Sequence, residues 1–216
     1  MKWGDTEPVW SPDGRKLAFV RERVDDHNLG GSGSLYTVDA AGVGTPTGLA
    51  TKNTVDERSP AWSPDGRKIA YVGGKPSGEG GGIFVVSVKG GAATALATTK
   101  IVNDPTWSPD GDRIAYTAAP DVNTQTDIRT TGTRGGTPKR VTQTRKTWEA
   151  EPTWSPNGQR IAYIYDAPNN QTYPHGIRAI AATGEGGAYR ILPTADYPGI
   201  QSSDLDWGIA AVAPPS

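Results

Sequence analysis

One phrase, written four times, limits what this chain can fold into more than any bulk property does. It reads PVWSPDGRKLAF at Pro8–Phe19, PAWSPDGRKIAY at Pro60–Tyr71, PTWSPDGDRIAY at Pro105–Tyr116 and PTWSPNGQRIAY at Pro152–Tyr163. A fifth, shortened copy, DLDWG at Asp204–Gly208, keeps only the acid and the tryptophan. The tryptophans stand at 10, 62, 107, 154 and 207, so the unit recurs every 45 to 53 residues. That period is too long for ankyrin or leucine-rich repeats and suits a four-stranded propeller blade.

The chemistry within one copy supports the same unit. In Ser-Pro-Asp-Gly the proline holds the φ that the second position of a tight turn needs, with Ser, Asp and Gly in favoured neighbouring slots. The turn joins an inner strand ending at Trp to a second strand such as Lys68–Val72. Both faces of that second strand are apolar, Ile69 and Tyr71 on one, Ala70 and Val72 on the other, as in a sheet packed between two neighbours. A third strand follows at Leu35–Val38, Ile83–Val86, Ile128–Thr130 and Ile177–Ile180, then a glycine turn and a short fourth strand around Leu49, Leu96, Val141 and Ile191. No segment keeps a helical period.

The expected fold class is therefore all-β: a β-propeller of four-stranded antiparallel blades, with four full repeats and a fifth inner strand. The whole chain, 1–216, reads as one domain with units at about 5–52, 53–99, 100–146 and 147–200, a partial repeat at 201–210 and a tail at 211–216. The 28 glycines and 18 prolines recur at fixed offsets inside this pattern, so they are turn residues rather than low-complexity filler.

The phrase P-x-W-S-P-D-G-x-(K/R)-I-A-Y, followed by a strand and a Gly-Gly turn, resembles the repeat of the TolB-like β-propellers, and the resemblance covers almost the whole chain. The same repeat occurs in the periplasmic TolB protein, in the propellers of prolyl-oligopeptidase-like peptidases and in tricorn-type proteases. Such rings usually have six blades. The resemblance thus implies an incomplete ring, with roughly 80 to 90 further residues upstream at this period. A complete chain whose unpaired fifth strand pairs with a second copy, giving a homo-oligomer, is one rival expectation, and a closed small ring with a tucked-in tail is the other.

Charge and composition narrow the function classes. Lys plus Arg total 22 against 23 Asp plus Glu, with no long run of either sign, which gives no footprint for nucleic acid or an anionic membrane. There is no cysteine, no apolar run of membrane-spanning length and no G-x-S-x-G elbow. The two histidines, His27 and His175, have no metal-ligand spacing. We therefore expect no enzyme activity, no cofactor, no metal, no nucleic-acid partner and no membrane insertion.

The repeated residues read as scaffold, which leaves the dissimilar connections, 21–33, 51–58, 73–82, 98–103, 118–126, 143–150, 165–175 and 193–203, free to bind. Arg145 and Trp148, with Tyr173 and Tyr197 on neighbouring loops, have the composition of an interface patch. Four acids, Glu7, Asp104, Glu151 and Asp204, precede inner strands, and Ser59 stands in the second copy. They either line the central channel as a ring attracting a cation or basic peptide, or cap backbone amides at blade junctions.

The expected function is a non-enzymatic protein- or peptide-binding module acting through its long-loop face. The alternatives are an accessory propeller or fragment of a prolyl-oligopeptidase-like peptidase, and a carbohydrate-binding propeller. By resemblance the location is periplasmic or extracellular.

Overall fold

The computed structural model describes residues 2–24, 32–49, 54–74, 81–121, 123–144, 147–166 and 176–192. Those residues form four separate four-stranded antiparallel sheets, each built from strands consecutive in the chain, and no helix. The first blade is β1 (Lys2–Trp10), β2 (Lys16–Val24), β3 (Ser34–Asp39) and β4 (Thr47–Gly48). The second is β5 (Val55–Trp62), β6 (Lys68–Gly74), β7 (Gly81–Ser87) and β8 (Thr94–Thr99). The third is β9 (Ile101–Trp107), β10 (Arg113–Ala119), β11 (Asp127–Gly132) and β12 (Lys139–Arg140). The fourth is β13 (Trp148–Trp154), β14 (Arg160–Asp166), β15 (Gly176–Ala181) and β16 (Tyr189–Leu192). The fifth inner strand expected at Trp207 lies outside the described residues.

Each Ser-Pro-Asp-Gly turn closes on itself. In the second blade Ser63 Oγ donates to Asp65 Oδ1 (2.7 Å) and accepts the Lys68 N–H (2.9 Å), while Asp65 Oδ1 also accepts the Arg67 N–H (3.1 Å). The glycine takes φ +67°, which only a residue without Cβ adopts freely. Asn157 replaces the aspartate in the fourth blade and accepts the same two bonds, from Ser155 Oγ (2.8 Å) and Gln159 N (3.1 Å).

The core is three layers between successive blades. Ala18, Val20, Leu35 and Leu49 of the first blade pack on Ile69, Tyr71, Phe84 and Val86 of the second. Ala70, Val72, Ile83 and Val85 of the second meet Trp107, Ile114 and Tyr116 of the third. Ala115, Ile128 and Val141 of the third meet Trp154, Ile161 and Tyr163 of the fourth. This is why the second strands are apolar on both faces.

A hydrogen bond repeats across all three layers. Trp62 Nε1 donates to Val9 O (3.1 Å), Trp107 Nε1 to Ala61 O (3.0 Å) and Trp154 Nε1 to Thr106 O (3.2 Å). The carbonyl of an inner strand's penultimate residue looks across a blade gap, where no strand of its own sheet can satisfy it. The conserved-in-repeat indole is what satisfies it.

Four connections expected as loops are shorter than their spans. β5 begins at Val55, inside 51–58; β8 and β9 are separated by Lys100 alone, so 98–103 is mostly strand; β10 runs to Ala119 within 118–126; and β13 begins at Trp148, inside 143–150. The inner strands start well before the Pro-x-Trp signature, because polar residues near the axis pair with second strands as readily as apolar ones do. The connections 21–33, 73–82, 165–175 and 193–203 lie mostly or wholly outside the described residues.

Candidate functional site

The four acid-position residues do not precede the inner strands, as expected from the motif, but sit inside them at a bulge. In each blade two residues of the inner strand oppose one aromatic of the second strand. The register jumps over Glu7-Pro8 opposite Phe19, Ser59-Pro60 opposite Tyr71, Asp104-Pro105 opposite Tyr116 and Glu151-Pro152 opposite Tyr163. The first residue of every bulge is left-handed, with φ of 53°, 51°, 54° and 51° for Glu7, Ser59, Asp104 and Glu151. Bulges of this kind normally place glycine there. A side-chain-bearing residue at positive φ costs about 1–3 kcal/mol and concentrates where function or tight local bonding requires it. The proline that follows has no N–H, so no donor is stranded on the axial edge where pairing ends.

The bulges converge. Glu7–Val9, Ser59–Ala61, Asp104–Thr106 and Glu151–Thr153 together line one cleft of about 550 Å³ on the axial side of the four blades. Three of its residues are carboxylates and none is Lys or Arg. Two of these acids accept backbone amides of the next blade, and Glu7, Asp104 and Glu151 all line the cleft. Glu7 Oε2 accepts the Ser59 N–H of the next blade (2.5 Å), and Asp104 Oδ2 accepts the Glu151 N–H of the next blade (3.3 Å) and the Thr117 hydroxyl (3.0 Å). Glu7 and Asp104 therefore tie blade to blade while still lining the cleft. Among the described residues no group of three acids or histidines is placed to hold a metal ion.

Of the remaining sequence candidates, Trp148 opens β13 and is 40 % exposed, but it does not line the cleft. Arg145, Tyr173, Tyr197 and Asp204 lie outside the described residues.

Two buried acids were not singled out by the repeat. Glu57 and Glu149, each five residues before the blade's Trp, are 4 % and 0 % exposed. Glu57 accepts the Leu35 N–H of the first blade (2.8 Å) and the Thr54 hydroxyl (2.8 Å). Glu149 accepts the hydroxyls of Thr142 and Thr144 from the third blade's outer segment. Burial pushes both carboxyls above the ordinary glutamate range, against the downward pull of these bonds, and the nearby Asp127 pushes Glu149 the same way. They are inter-blade staples rather than cleft groups. Their sequence signal is the shared offset from Trp, which Asp5 also keeps and Val102 breaks. Burial likewise pushes the Tyr116 phenol up to about 12.

Comparison with known proteins matches the geometry. A model of the family described as TolB beta propeller domain matches residues 2–186. The protein named "Uncharacterized peptidase YuxL" from Bacillus subtilis (strain 168) is 30% identical over 92 residues, 42% of this chain and 13% of that protein. The Tol-Pal system protein TolB of Paramagnetospirillum magneticum (strain ATCC 700264 / AMB-1) is 43% identical over 58 residues, 26% of this chain and 12% of that protein. The matched segments thus span only about an eighth of either curated relative. Among solved structures, a putative TolB from Agrobacterium tumefaciens superposes with a TM-score of 0.65 at 19% identity, covering 88% of this chain and 81% of that one.

Proposed function

This chain belongs to the TolB β-propeller domain family, and we propose that it is a non-enzymatic scaffold that captures a partner protein by taking a basic, extended segment into its axial cleft. The observation that carries this reading is the cleft itself: three carboxylates on left-handed bulges, with no cation among the lining residues. A low-dielectric groove of one charge sign concentrates groups of the opposite sign. The acids are spread around the cleft rather than gathered on one point, which suits several cationic side chains along a peptide better than one metal ion. By the same family resemblance we place the protein in the periplasm or outside the cell.

The test is titration calorimetry with a tetra-arginine peptide and a tetra-glutamate peptide, at low and high salt. The basic peptide binds, the acidic one does not, and salt weakens the complex. A triple variant, Glu7→Gln, Asp104→Asn and Glu151→Gln, keeps amide oxygens for the inter-blade bonds and loses affinity by at least about tenfold, the equivalent of about 1.4 kcal/mol. Equal binding by that variant would remove the proposal.

The likeness to a protein named as a peptidase supports a second reading, an accessory propeller of a larger hydrolase. A propeller that only gates access to an enzyme lets short basic peptides pass without holding them. Absence of any measurable peptide affinity would favour it.

A further inference from the structure

We propose that Asn157 is a site of spontaneous covalent modification, where the side-chain amide is lost through a cyclic imide with the Gly158 nitrogen, and that the closed turn withholds this reaction. The inference does not depend on the cleft reading. Among the asparagines of the chain, only Asn157 is followed by glycine. A glycine leaves the attacking nitrogen without a neighbouring side chain to hinder it. In the structure Asn157 is exposed and Gly158 half-buried. Where a side chain would stand on Gly158, Pro109 Cδ lies 3.7 Å away and no other atom lies nearer.

The reaction balances with water as the co-reactant. The Gly158 N–H proton passes to solvent hydroxide and a bond forms between that nitrogen and Asn157 Cγ. The carboxamide C–N bond breaks, and its nitrogen leaves as ammonia with a proton from water. A second water then opens the imide. Cleavage between Cγ and the Gly158 nitrogen gives aspartate, and cleavage at the main-chain carbonyl gives isoaspartate.

The turn holds every group this step needs. Asn157 Oδ1 accepts the Ser155 hydroxyl (2.8 Å) and the Gln159 N–H (3.1 Å), which keep the carboxamide in one orientation. The Gly158 N–H donates to Ser155 O at 2.8 Å. An imide nitrogen carries no hydrogen, so ring closure abolishes that bond outright. The reactive form is therefore the opened turn, reached by local unfolding.

The two products differ in whether the turn can close again. Aspartate is what the other blades carry here: Asp13, Asp65 and Asp110 each accept the serine hydroxyl and the amide two residues on. A carboxylate oxygen accepts as a carboxamide oxygen does. Isoaspartate instead inserts one carbon into the backbone between Ser155 and Gly158 and takes their hydrogen bond out of register. The fold thus accommodates one outcome of the modification and rejects the other.

The test incubates the full chain at mildly alkaline pH, folded and in urea, and follows the tryptic peptide Thr147–Arg160, whose one asparagine is Asn157. Amide loss appears as the mass gain of an amide-to-acid conversion, and chromatography against synthetic peptides separates aspartate from isoaspartate. The folded chain should convert at least about tenfold more slowly than the chain in urea, because only the opened turn reacts. Ser155→Ala, which removes one of the two donors to Oδ1, should convert several-fold faster than the natural protein while folded. Should that variant fail to fold, the natural chain in urea below its unfolding transition gives the same comparison. Asn157→Asp should keep the natural denaturation midpoint, and the isolated isoaspartate form should lose stability. Equal rates in the folded and unfolded chain, or no amide loss at Asn157 in urea, overturns the proposal. So does an Asn157→Asp protein as destabilised as the isoaspartate form.

Discussion

The indole N–H of Trp107 donates to the carbonyl oxygen of Ala61 across the gap between the second and third blades, at 3.0 Å. The ring is 8 % exposed and belongs to the apolar layer with Val72, Val85 and Tyr116. Trp107→Ala removes that packing and leaves the carbonyl without its partner. We expect a loss of about 3–5 kcal/mol in urea denaturation. Trp148→Ala, at a site 40 % exposed, should stay within about 1 kcal/mol because little packing is lost. Equal losses at the two positions would show that Trp148 is scaffold.

Glu149 gives the pH dependence a sign. Its carboxyl is held above the ordinary range by burial, so the folded chain binds this proton more tightly than the unfolded chain does. The group's contribution is then complete at low pH and is lost as pH rises from about 4.3, the unperturbed value, through the raised folded value. Asp127, paired with Arg140 at 2.6 Å, and Tyr163 are the charged and titratable neighbours in that region. Glu149→Gln should therefore gain on the natural protein as pH rises through this window. Denaturation midpoints followed from the ordinary glutamate range upward decide it. A difference that stays constant with pH would mean the carboxyl does not titrate there.

The repeat made the blades legible because turn chemistry and two-sided apolar strands are local properties. Ser63-Pro64-Asp65-Gly66 states its own geometry, and Ile69–Val72 states its own burial on both sides. The bulge was not legible. Nothing local distinguishes an acid before an inner strand from an acid within one, because pairing with Phe19 or Tyr116 is a long-range event. The segment around Thr142 and Thr144 reads as a polar loop for a related reason. Its hydroxyls become core groups only once Glu149 arrives from the next blade.

Ser59 isolates the cost of the left-handed bulge. It holds φ 51° as the acids do, but its side chain makes no hydrogen bond among the described residues. Ser59→Gly keeps the amide that Glu7 accepts and should alter stability by no more than about 0.5 kcal/mol, since relief of strain and added unfolded-state freedom oppose each other. Ser59→Val places a branched Cβ at positive φ and should cost about 1–2 kcal/mol. If valine were tolerated as well as glycine, the left-handed conformation would not be required there.

The fourth blade already contains the substitution that tests the turn acids. Asp110 accepts from Ser108 Oγ (2.5 Å) and Asp112 N (3.0 Å), and Asn157 accepts the equivalent pair in its own turn. The serine hydrogen bond, then the backbone one, holds the Asp110 carboxyl below the usual aspartate range, and the same holds for Asp13 and Asp65. With a depressed folded value the sign reverses relative to Glu149. The stabilisation is present above the unfolded pKa and is lost as pH falls through the folded one. Asp110→Asn should leave the denaturation midpoint unchanged at neutral pH, because the amide oxygen accepts both bonds. It should then fall less steeply than the natural protein as the medium is acidified below the aspartate range. Parallel acid limbs for the two proteins would show that this turn's charge adds nothing beyond its geometry, as the asparagine in the fourth blade already suggests for neutral pH.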